Sequence, residues 1–465
     1  MERPSCLYIT TVWPEWTSSA AGVRTRFIAE TLRDAGYRVI VQCSAVDTPF
    51  RGQLEALGFE TRYQPINESS FDQWIQTTAP TLVIYDRFVI EEQFGSRIRQ
   101  HAPRAIHVLD TQDVHFLRRY REKIAKKGQW QDLEHESDEC ALNHLRQQNW
   151  STQVDALREI GSILRCDLSL IVSEFELNLL QGAPFFVPTE RLLLNRWAAE
   201  PLASDQVPSW DNREGLVMIG NYRHPPNLDG VLWFHREVWP VLKKISQGTL
   251  PRVHIYGAYA PREVSALHQP EDGIVFHGWA ASESDALARA KINLAPLRFG
   301  AGIKGKILEG WRVGLPCVGT RIASEGMCGD LPFGGRIAHS AESFAQAIHE
   351  LYSIDTSAYQ QASEAGMQIL KKYYLPEVIV PALLSRIQQI RENLGNVRKQ
   401  NFIGSLLSHD SHARTKYFSA WIEAKNLSKV PVSKEDKPAP GIEVVAPSPD
   451  VQSEVEQRRS SNDDQ

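Results

Sequence analysis

The feature that most constrains the fold is the alternation of short apolar runs with longer segments of helical periodicity. The runs are rich in β-branched residues and carry few polar side chains, which is typical of strands buried on both faces of a parallel sheet. Two sets of such runs follow each other along the 465 residues. The first set covers residues 7–12, 38–44, 81–86, 105–110, 168–173 and 192–195, and the second covers residues 216–220, 253–257, 274–278, 292–296 and 316–319.

Two sets of buried strands predict two domains, because a chain of this length exceeds the usual size of one hydrophobic core. Residues 198–214 are rich in Pro, Ser and charge and separate the sets as a linker. We therefore predict an α/β protein of two doubly wound, Rossmann-like domains, residues 1–200 and 215–370, that face a central cleft. A charged helical pattern over residues 112–165 interrupts the first domain. Its charges are typical of solvated helix faces, and contact with an acceptor or a membrane surface is the alternative.

The composition bounds the partners and the compartment. Lys and Arg number 51 against 56 Asp and Glu, and the net charge of −5 gives no overall attraction to nucleic acid. No apolar stretch approaches the roughly 20 residues of a membrane span, and the first residues lack a signal-peptide pattern. Six cysteines are scattered without a CxxC pair, so neither a zinc site nor a disulfide framework is expected. These features predict a cytoplasmic protein, and the composition of residues 427–465 predicts a disordered tail.

A glycine-rich stretch in the second domain is the strongest candidate for a phosphate-binding site. Residues 300–306 read Gly-Ala-Gly-Ile-Lys-Gly-Lys and join a predicted strand to a predicted helix. They satisfy both the dinucleotide pattern GxGxxG and the phosphate-loop pattern GxxxxGK, but Ile307 replaces the hydroxyl residue that would hold magnesium. Around Gly302 the backbone can approach a pyrophosphate closely, and Lys304 and Lys306 add positive charge. A tight strand-to-helix turn without a ligand is the alternative.

Two further polar residues of the second domain fit a nucleotide. Glu309 lies in the helix after the glycine-rich stretch, where a carboxylate can accept hydrogen bonds from two ribose hydroxyls. Arg223 follows the first strand of the domain and can reach a donor phosphate across the cleft. An exposed helix position and a surface turn are the respective alternatives.

The first domain offers candidates at the ends of two strands. Small residues up to Gly22 follow the first strand and open a helix, whose free N–H groups can bind a phosphate. Asp110 ends the strand at residues 105–110, Asp113 and His115 follow it, and side chains at this end of a parallel strand face the crevice. They are candidates for orienting a sugar hydroxyl or moving a proton, and helix capping is the alternative for each.

Taken together, three stretches resemble the group 1 family of glycosyltransferases, which has the two-domain GT-B fold. They are residues 26–39, 169–176 and, with the most specific motif, 293–320. The resemblance implies donor binding by the second domain, acceptor binding by the first and transfer with retention. It implies no catalytic metal and no cofactor other than the nucleotide-diphosphate sugar as co-substrate. It also implies that the C-terminal helices, residues 371–426, cross back onto the first domain.

The resemblance also assigns individual residues. Glu309 matches the second carboxylate of the Glu-x7-Glu pair that the family carries, while Ala301 stands where the first carboxylate is expected. His115 matches the family histidine of the first domain, in preference to His107, which lies within a strand. Because Ala301 has no carboxylate, the residue that holds the donor sugar at this position stays open.

The sequence thus predicts an enzyme of glycan or glycoconjugate biosynthesis. Its expected partners are a nucleotide sugar and a glycan, lipid-linked or small-molecule acceptor, without nucleic acid. Contact with the inner face of the membrane stays open. The alternatives are a nucleotide-sugar epimerase, which needs no acceptor, a dehydrogenase using the GxGxxG stretch, and a sugar-nucleotide-binding protein without catalysis.

Overall fold

The computed structural model describes residues 3–203, 205–246 and 250–427. The predicted tail therefore lies, from residue 428 onward, outside the described residues. Residues 1–417 form one compact unit, and a second unit begins at residue 418, of which the described part is the end of a helix.

The first half is built on a parallel sheet of seven strands in the order β3-β2-β1-β4-β5-β6-β7. The strands are β1 (Ser5–Thr10), β2 (Arg38–Cys43), β3 (Glu60–Tyr63), β4 (Leu82–Asp86), β5 (Ile106–Asp110), β6 (Leu168–Ile171) and β7 (Leu192–Leu194). The helices are α1 (Ala20–Asp34), α2 (Pro49–Ala56), α3 (Ser70–Thr78), α4 (Phe88–His101), α5 (His115–Lys126), α6 (Asp138–Arg146), α7 (Val154–Arg165) and α8 (Glu174–Gln181).

The second half repeats this plan with six parallel strands in the order β10-β9-β8-β11-β12-β13. The strands are β8 (Leu216–Ile219), β9 (Val253–Tyr256), β10 (Ile274–Gly278), β11 (Ile292–Ala295), β12 (Cys317–Thr320) and β13 (Gly335–Ala338). The helices are α9 (Pro225–Trp233), α10 (Trp239–Ile245), α11 (Arg262–Ser265), α12 (Glu283–Ala288), α13 (Gly305–Arg312), α14 (Arg321–Ser324), α15 (Ala341–Ser353) and α16 (Thr356–Tyr373), followed by α17 (Pro376–Lys399) and α18 (Phe402–Leu427).

The predicted pair of doubly wound halves is confirmed, and its physical basis is visible in β1. Leu7 and Ile9 join one hydrophobic cluster, while Cys6 and Tyr8 join another on the opposite face of the sheet. All four are fully buried. Because successive side chains of a strand alternate between faces, a continuous apolar strand requires helices on both sides.

Two strands, β3 and β13, were missed by the sequence prediction. Both lie at an edge of their sheet, and each is four residues long. β3 reads Glu-Thr-Arg-Tyr and none of its side chains is buried. An edge strand is covered on fewer sides than a central one, so its sequence lacks the apolar run on which the prediction depended.

Helix α17 packs against the first half. Leu383, Ile387 and Ile390, spaced four and three residues apart, join the cluster that contains Cys6 and Tyr8. Near the end of the helix, Arg398 forms an ion pair of 2.7 Å with Asp167 at the start of β6. Among the described residues, no helix has the length and apolarity to cross a bilayer.

The segment between β5 and β6, containing α5, α6 and α7, also contacts the second half. Trp130 and Leu133 belong to the hydrophobic core of that half, and the Trp130 and Trp233 ring centroids are 5.2 Å apart. Arg121, Trp130 and Leu133 of this segment are buried, whereas Lys123, Lys126 and Lys127 are exposed, so its charges lie only in part on solvated helix faces.

Candidate active site

The loop after β5 brings Asp113, His115 and Arg118 together. Nε of Arg118 donates to Oδ2 of Asp113 at 2.6 Å. Nε2 of His115 lies 3.1 Å from Oδ1 of the same carboxylate, without the alignment of a hydrogen bond. Burial opposes ionisation of Asp113, but the charge of Arg118 holds its pKa below the usual value. Burial lowers the pKa of His115 to about 4, so this imidazole is neutral at pH 7.

Two buried carboxylates fix the start of α5. Glu159 accepts hydrogen bonds from the backbone N–H groups of His115 at 3.1 Å and Phe116 at 2.9 Å. Oε1 of Glu176 accepts from the N–H of Val114 at 2.7 Å. The first N–H groups of a helix have no partner within the helix, and carboxylates at this end are stabilised by the helix dipole. Both carboxylates thus hold the backbone that carries His115.

His224 approaches this loop from the second half. It lies between β8 and α9 and is accessible to solvent, yet it interacts electrostatically with Arg118, Asp113, Lys306 and Arg87. Desolvation within the cleft, followed by the charge of Arg118, lowers the pKa of His224 to about 4. Groups from both halves therefore surround one region of the cleft.

Lys306 and Arg87 complete this region. Nζ of Lys306, in the first turn of α13, donates to Oδ1 of Asn227 at 2.7 Å. Burial lowers the pKa of Lys306 to about 8. Arg87 follows β4 with a φ of 72°, a conformation that costs a non-glycine residue free energy. Its Nη1 donates to Oγ1 of Thr11 at 2.7 Å. We call Arg87, Arg118, His224 and Lys306 the cleft cluster.

The predicted residues divide between the cleft cluster and other places. Asp113, His115 and Lys306 lie at or beside the cluster. The Arg223 guanidinium instead stacks on the Tyr259 ring at 3.6 Å from its centroid. Lys304 is buried, and its Nζ donates to the carbonyl of Gly302 at 2.8 Å.

The remaining predicted residues are engaged in local contacts. Glu309 pairs with Arg312 at 2.6 Å and stays partly accessible. The N–H of Gly302 donates to Glu176 at 2.8 Å, so in this structure it is not free for a phosphate. The N–H of Gly22 donates to Oγ of Ser19, the N-cap residue of α1, at 3.0 Å. A Cβ on Gly22 would lie 2.5 Å from the Glu15 backbone, so glycine is required there by close packing.

Two residues outside the prediction stabilise the floor of the cleft. Arg24 of α1 donates from Nε to Oδ1 of Asp110 at 2.8 Å, and from Nη1 to the carbonyl of Asn195 at 2.8 Å. Tyr8 donates its hydroxyl proton to Oδ2 of Asp110 at 2.9 Å. Within the described residues, no group of three His, Cys, Asp or Glu side chains is placed to hold a metal ion.

Comparison with known proteins assigns the second half to a family. Residues 213–353 match the family model described as glycosyl transferases group 1. The match covers the whole sheet of the second half, so we call residues 213–353 the group 1 domain. It contains β8 to β13 and therefore includes His224, Lys306 and Glu309. No curated protein matches the chain by sequence.

Solved structures resemble the group 1 domain together with the first half. A glycosyltransferase from Rickettsia africae has a TM-score of 0.60 at 12% identity, over 84% of this chain and 100% of its own. HepE from Anabaena, in complex with UDP and glucose, has a TM-score of 0.57 at 15% identity, over 84% and 99%. Sucrose-phosphate synthase from Thermosynechococcus elongatus has a TM-score of 0.57 at 13% identity, over 83% and 99%. At these identities the likeness establishes the shared GT-B fold.

Proposed function

We propose that this protein is a glycosyltransferase that moves a sugar from a nucleoside diphosphate sugar to an acceptor with retention, in glycan or glycoconjugate biosynthesis. The observation that carries the proposal is the cleft cluster, in which cationic side chains of both halves surround one region. A diphosphate has the charge and the size to bridge them. The group 1 domain and the HepE structure with bound UDP and glucose favour a nucleotide sugar as the ligand.

In the proposed reaction, the bond between the sugar anomeric carbon and the diphosphate oxygen breaks, and the electron pair stays on the diphosphate. Lys306 and Arg118 stabilise this developing charge, and such stabilisation is usually the largest contribution to catalysis. A bond forms between the anomeric carbon and the acceptor oxygen, whose proton passes to the departing phosphate. Neutral His115 and ionised Asp113 orient the transferred sugar. No step requires a metal or a further cofactor.

The acceptor is proposed to enter from the first half, where Arg87 and Asp113 face the cleft. It is a glycan, a lipid-linked sugar or a small metabolite. All six cysteines of the chain lie in the described residues and are free thiols, which supports a cytoplasmic location. A lipid-linked acceptor would place the protein at the inner face of the membrane.

Glu309 is proposed to hold the ribose of the donor. Replacing Glu309 by Ala is expected to weaken binding of the donor nucleotide about 10- to 100-fold, because hydrogen bonds to a charged group contribute about 1.5–3 kcal/mol. Titration calorimetry with UDP and with its 2′,3′-dideoxy analogue measures this effect. The substitution should cost little with the dideoxy analogue, which lacks the hydroxyls. Equal losses with both ligands would refute the ribose contact, and Glu350→Ala, on an exposed face of α15, is the control.

Donor binding is expected to decline as the pH rises above about 8. Lys306 carries its positive charge below its pKa of about 8 and loses it above. The pKa values of His115 and His224, each about 4, leave both imidazoles neutral across this range. The pH dependence of the donor dissociation constant between pH 6.5 and 9.5 measures the effect. Lys306→Arg should abolish the decline, since a guanidinium stays charged, and a decline that persists in this variant would exclude Lys306 as its origin.

Two alternatives are separated by the acceptor requirement. An epimerase would convert the nucleotide sugar without any acceptor. A sugar-nucleotide-binding protein would bind the donor and release no free nucleoside diphosphate. This alternative rests on Ala301, which stands where the family carries its first carboxylate. Product analysis of a nucleotide sugar incubated with the full chain distinguishes the three functions.

A further inference from the structure

The guanidinium of Arg121 joins the two halves at the glycine-rich stretch. Arg121 lies on α5, and its side chain is 2% exposed. Nη1 donates to the Gly300 carbonyl at 2.9 Å and to Oε1 of Glu325 at 2.8 Å, while Nη2 donates to Oε2 of Glu325 at 2.6 Å. Gly300 and Glu325 both belong to the group 1 domain. One buried side chain of the first half is thus bound to two separate segments of the second.

A second contact holds the same stretch two residues further on. Oε1 of Glu176 accepts from the N–H of Gly302 at 2.8 Å, and the same oxygen accepts from Val114. Gly302 has a φ of 64°, and a Cβ there would lie 2.9 Å from Cβ of Asp113. The stretch therefore lies directly against the loop that carries the first-half site. Glycine-rich backbone is conformationally free when unrestrained, so these contacts determine its shape.

Helix α5 contributes one arginine to the cleft and another to the glycine-rich stretch. Arg118, three residues before Arg121, binds Asp113 in the cleft, and Arg121 binds the glycine-rich stretch. Residues three apart lie on one side of a helix, so their relative position is fixed by the helix itself. The start of α13, with Lys306, follows the anchored stretch directly. A rigid connection thus runs from Arg118 to the backbone that presents Lys306.

We propose that Arg121 is a positioning residue, which holds residues 300–304 in the conformation that places Lys306 opposite Arg118 for donor binding. This proposal rests on the proposed function. Beyond that function, the segment between β5 and β6 of the first half would determine the conformation of residues 300–304 of the group 1 domain. A guanidinium suits this role because its planar fork binds a carboxylate with two parallel hydrogen bonds and still reaches a carbonyl.

Other contacts of the inserted segment hold the halves together without Arg121. Asp138 pairs with Arg321, and Glu134 accepts from His339 at 3.0 Å. The apolar contact of Trp130 with the second-half core adds to them. Loss of Arg121 is therefore expected to change residues 300–304 locally rather than to separate the halves.

The test is hydrogen–deuterium exchange of the full chain without ligand, comparing wild type with Arg121→Met. Exchange of the amides at residues 300–304 should rise about tenfold or more, the effect of losing hydrogen bonds to a charged group. Arg119→Met is the matched control, because Arg119 is 42% exposed on the same helix and pairs with Asp155. It should leave this exchange unchanged.

A double variant separates positioning from stability. Arg121→Met alone leaves Glu325 with the buried Lys304 as a remaining positive neighbour but without its ion-pair partner, whereas Arg121→Met with Glu325→Met removes the whole pair. The double variant should recover part of the lost thermal stability and still show fast exchange at residues 300–304, with the dissociation constant for UDP raised about tenfold. Unchanged exchange in both variants would overturn the positioning role, whatever the chain binds. Absence of nucleotide binding by the wild type would overturn the proposed function, while fast exchange in the variants would still support the anchor.

Discussion

Replacing Lys306 by Met is expected to lower kcat/KM for the nucleotide sugar about 10²- to 10³-fold, the usual effect of removing one group that stabilises developing charge. Nζ of Lys306 donates a hydrogen bond to the neutral amide of Asn227 and interacts electrostatically with Glu283, but it forms no direct ion pair within the described residues, so its charge can stabilise a ligand. Methionine preserves most of the side-chain volume and removes the charge. The variant should therefore keep its fold and lose stabilisation of the departing diphosphate.

The measurement is the rate of nucleoside diphosphate release, with water as the acceptor until the natural acceptor is known. Lys243→Met is the matched control, since Lys243 is an exposed residue of the same half that pairs with Asp272. It should keep wild-type kinetics. A rate for Lys306→Met within threefold of the wild type would place the diphosphate away from the cleft cluster.

The second large effect concerns stability. Replacing Arg24 by Met is expected to destabilise the native state by about 3–5 kcal/mol, the usual result of removing one partner of a buried ion pair. Arg24 is 1% exposed and Asp110 is fully buried, so the carboxylate would lose its ion-pair partner. The carbonyl of Asn195, at the end of β7, would lose its donor as well. Because these contacts join α1, β5 and the end of β7, the loss affects the whole first half.

Thermal unfolding of the unliganded chain measures this effect. A loss of this size should lower the first melting transition by about 10 °C. Arg26→Met serves as the comparison, because Arg26 lies on the same helix in a partly exposed pair with Glu30. Exposed pairs contribute about 0–1 kcal/mol, so that variant should melt within a few degrees of the wild type. Equal melting of both variants would mean that the buried network contributes little.

Much of the fold could be predicted because strands buried on both faces are continuously apolar. This applies to β1, β2, β4 and β5 and to β8, β11 and β12, which lie inside their sheets. It fails for β3 and β13 at the edges. It also fails for the contacts of the inserted segment, since no local pattern tells which charged helix face meets another domain.

Residues of the candidate site could be predicted only where they lie just after a predicted strand or a recognisable loop motif. Asp113 and His115 follow β5, and Lys306 follows the glycine-rich stretch. Arg118 lies five residues after Asp113, whereas Arg87 and His224 join them from two other segments, and only the folded chain brings these together. The sequence feature that could have indicated His224 is its position in the loop after β8, next to the predicted residue Arg223.

Neighbouring residues of one type also could not be ranked from the sequence. Lys304 and Lys306 are two residues apart in one turn and have equal charge. The turn directs Lys304 inward onto the Gly302 carbonyl, while Lys306 faces Asn227 and the cleft. Arg223 and His224 divide in the same way, with Arg223 stacked on Tyr259. Such differences depend on backbone dihedrals that a sequence pattern does not specify.

A nucleoside diphosphate sugar is expected to bind between the two halves at the cleft cluster. The most direct test titrates the full chain with a panel of nucleoside diphosphate sugars and with NAD. The melting temperature is measured in each titration for the wild type, Lys306→Met and Arg118→Met. A ligand that binds the native state raises its stability. We expect a rise with one class of nucleotide sugar that is lost in both variants, one from each half. A rise with NAD alone, or a nucleotide-sugar response that both variants retain, would contradict this expectation.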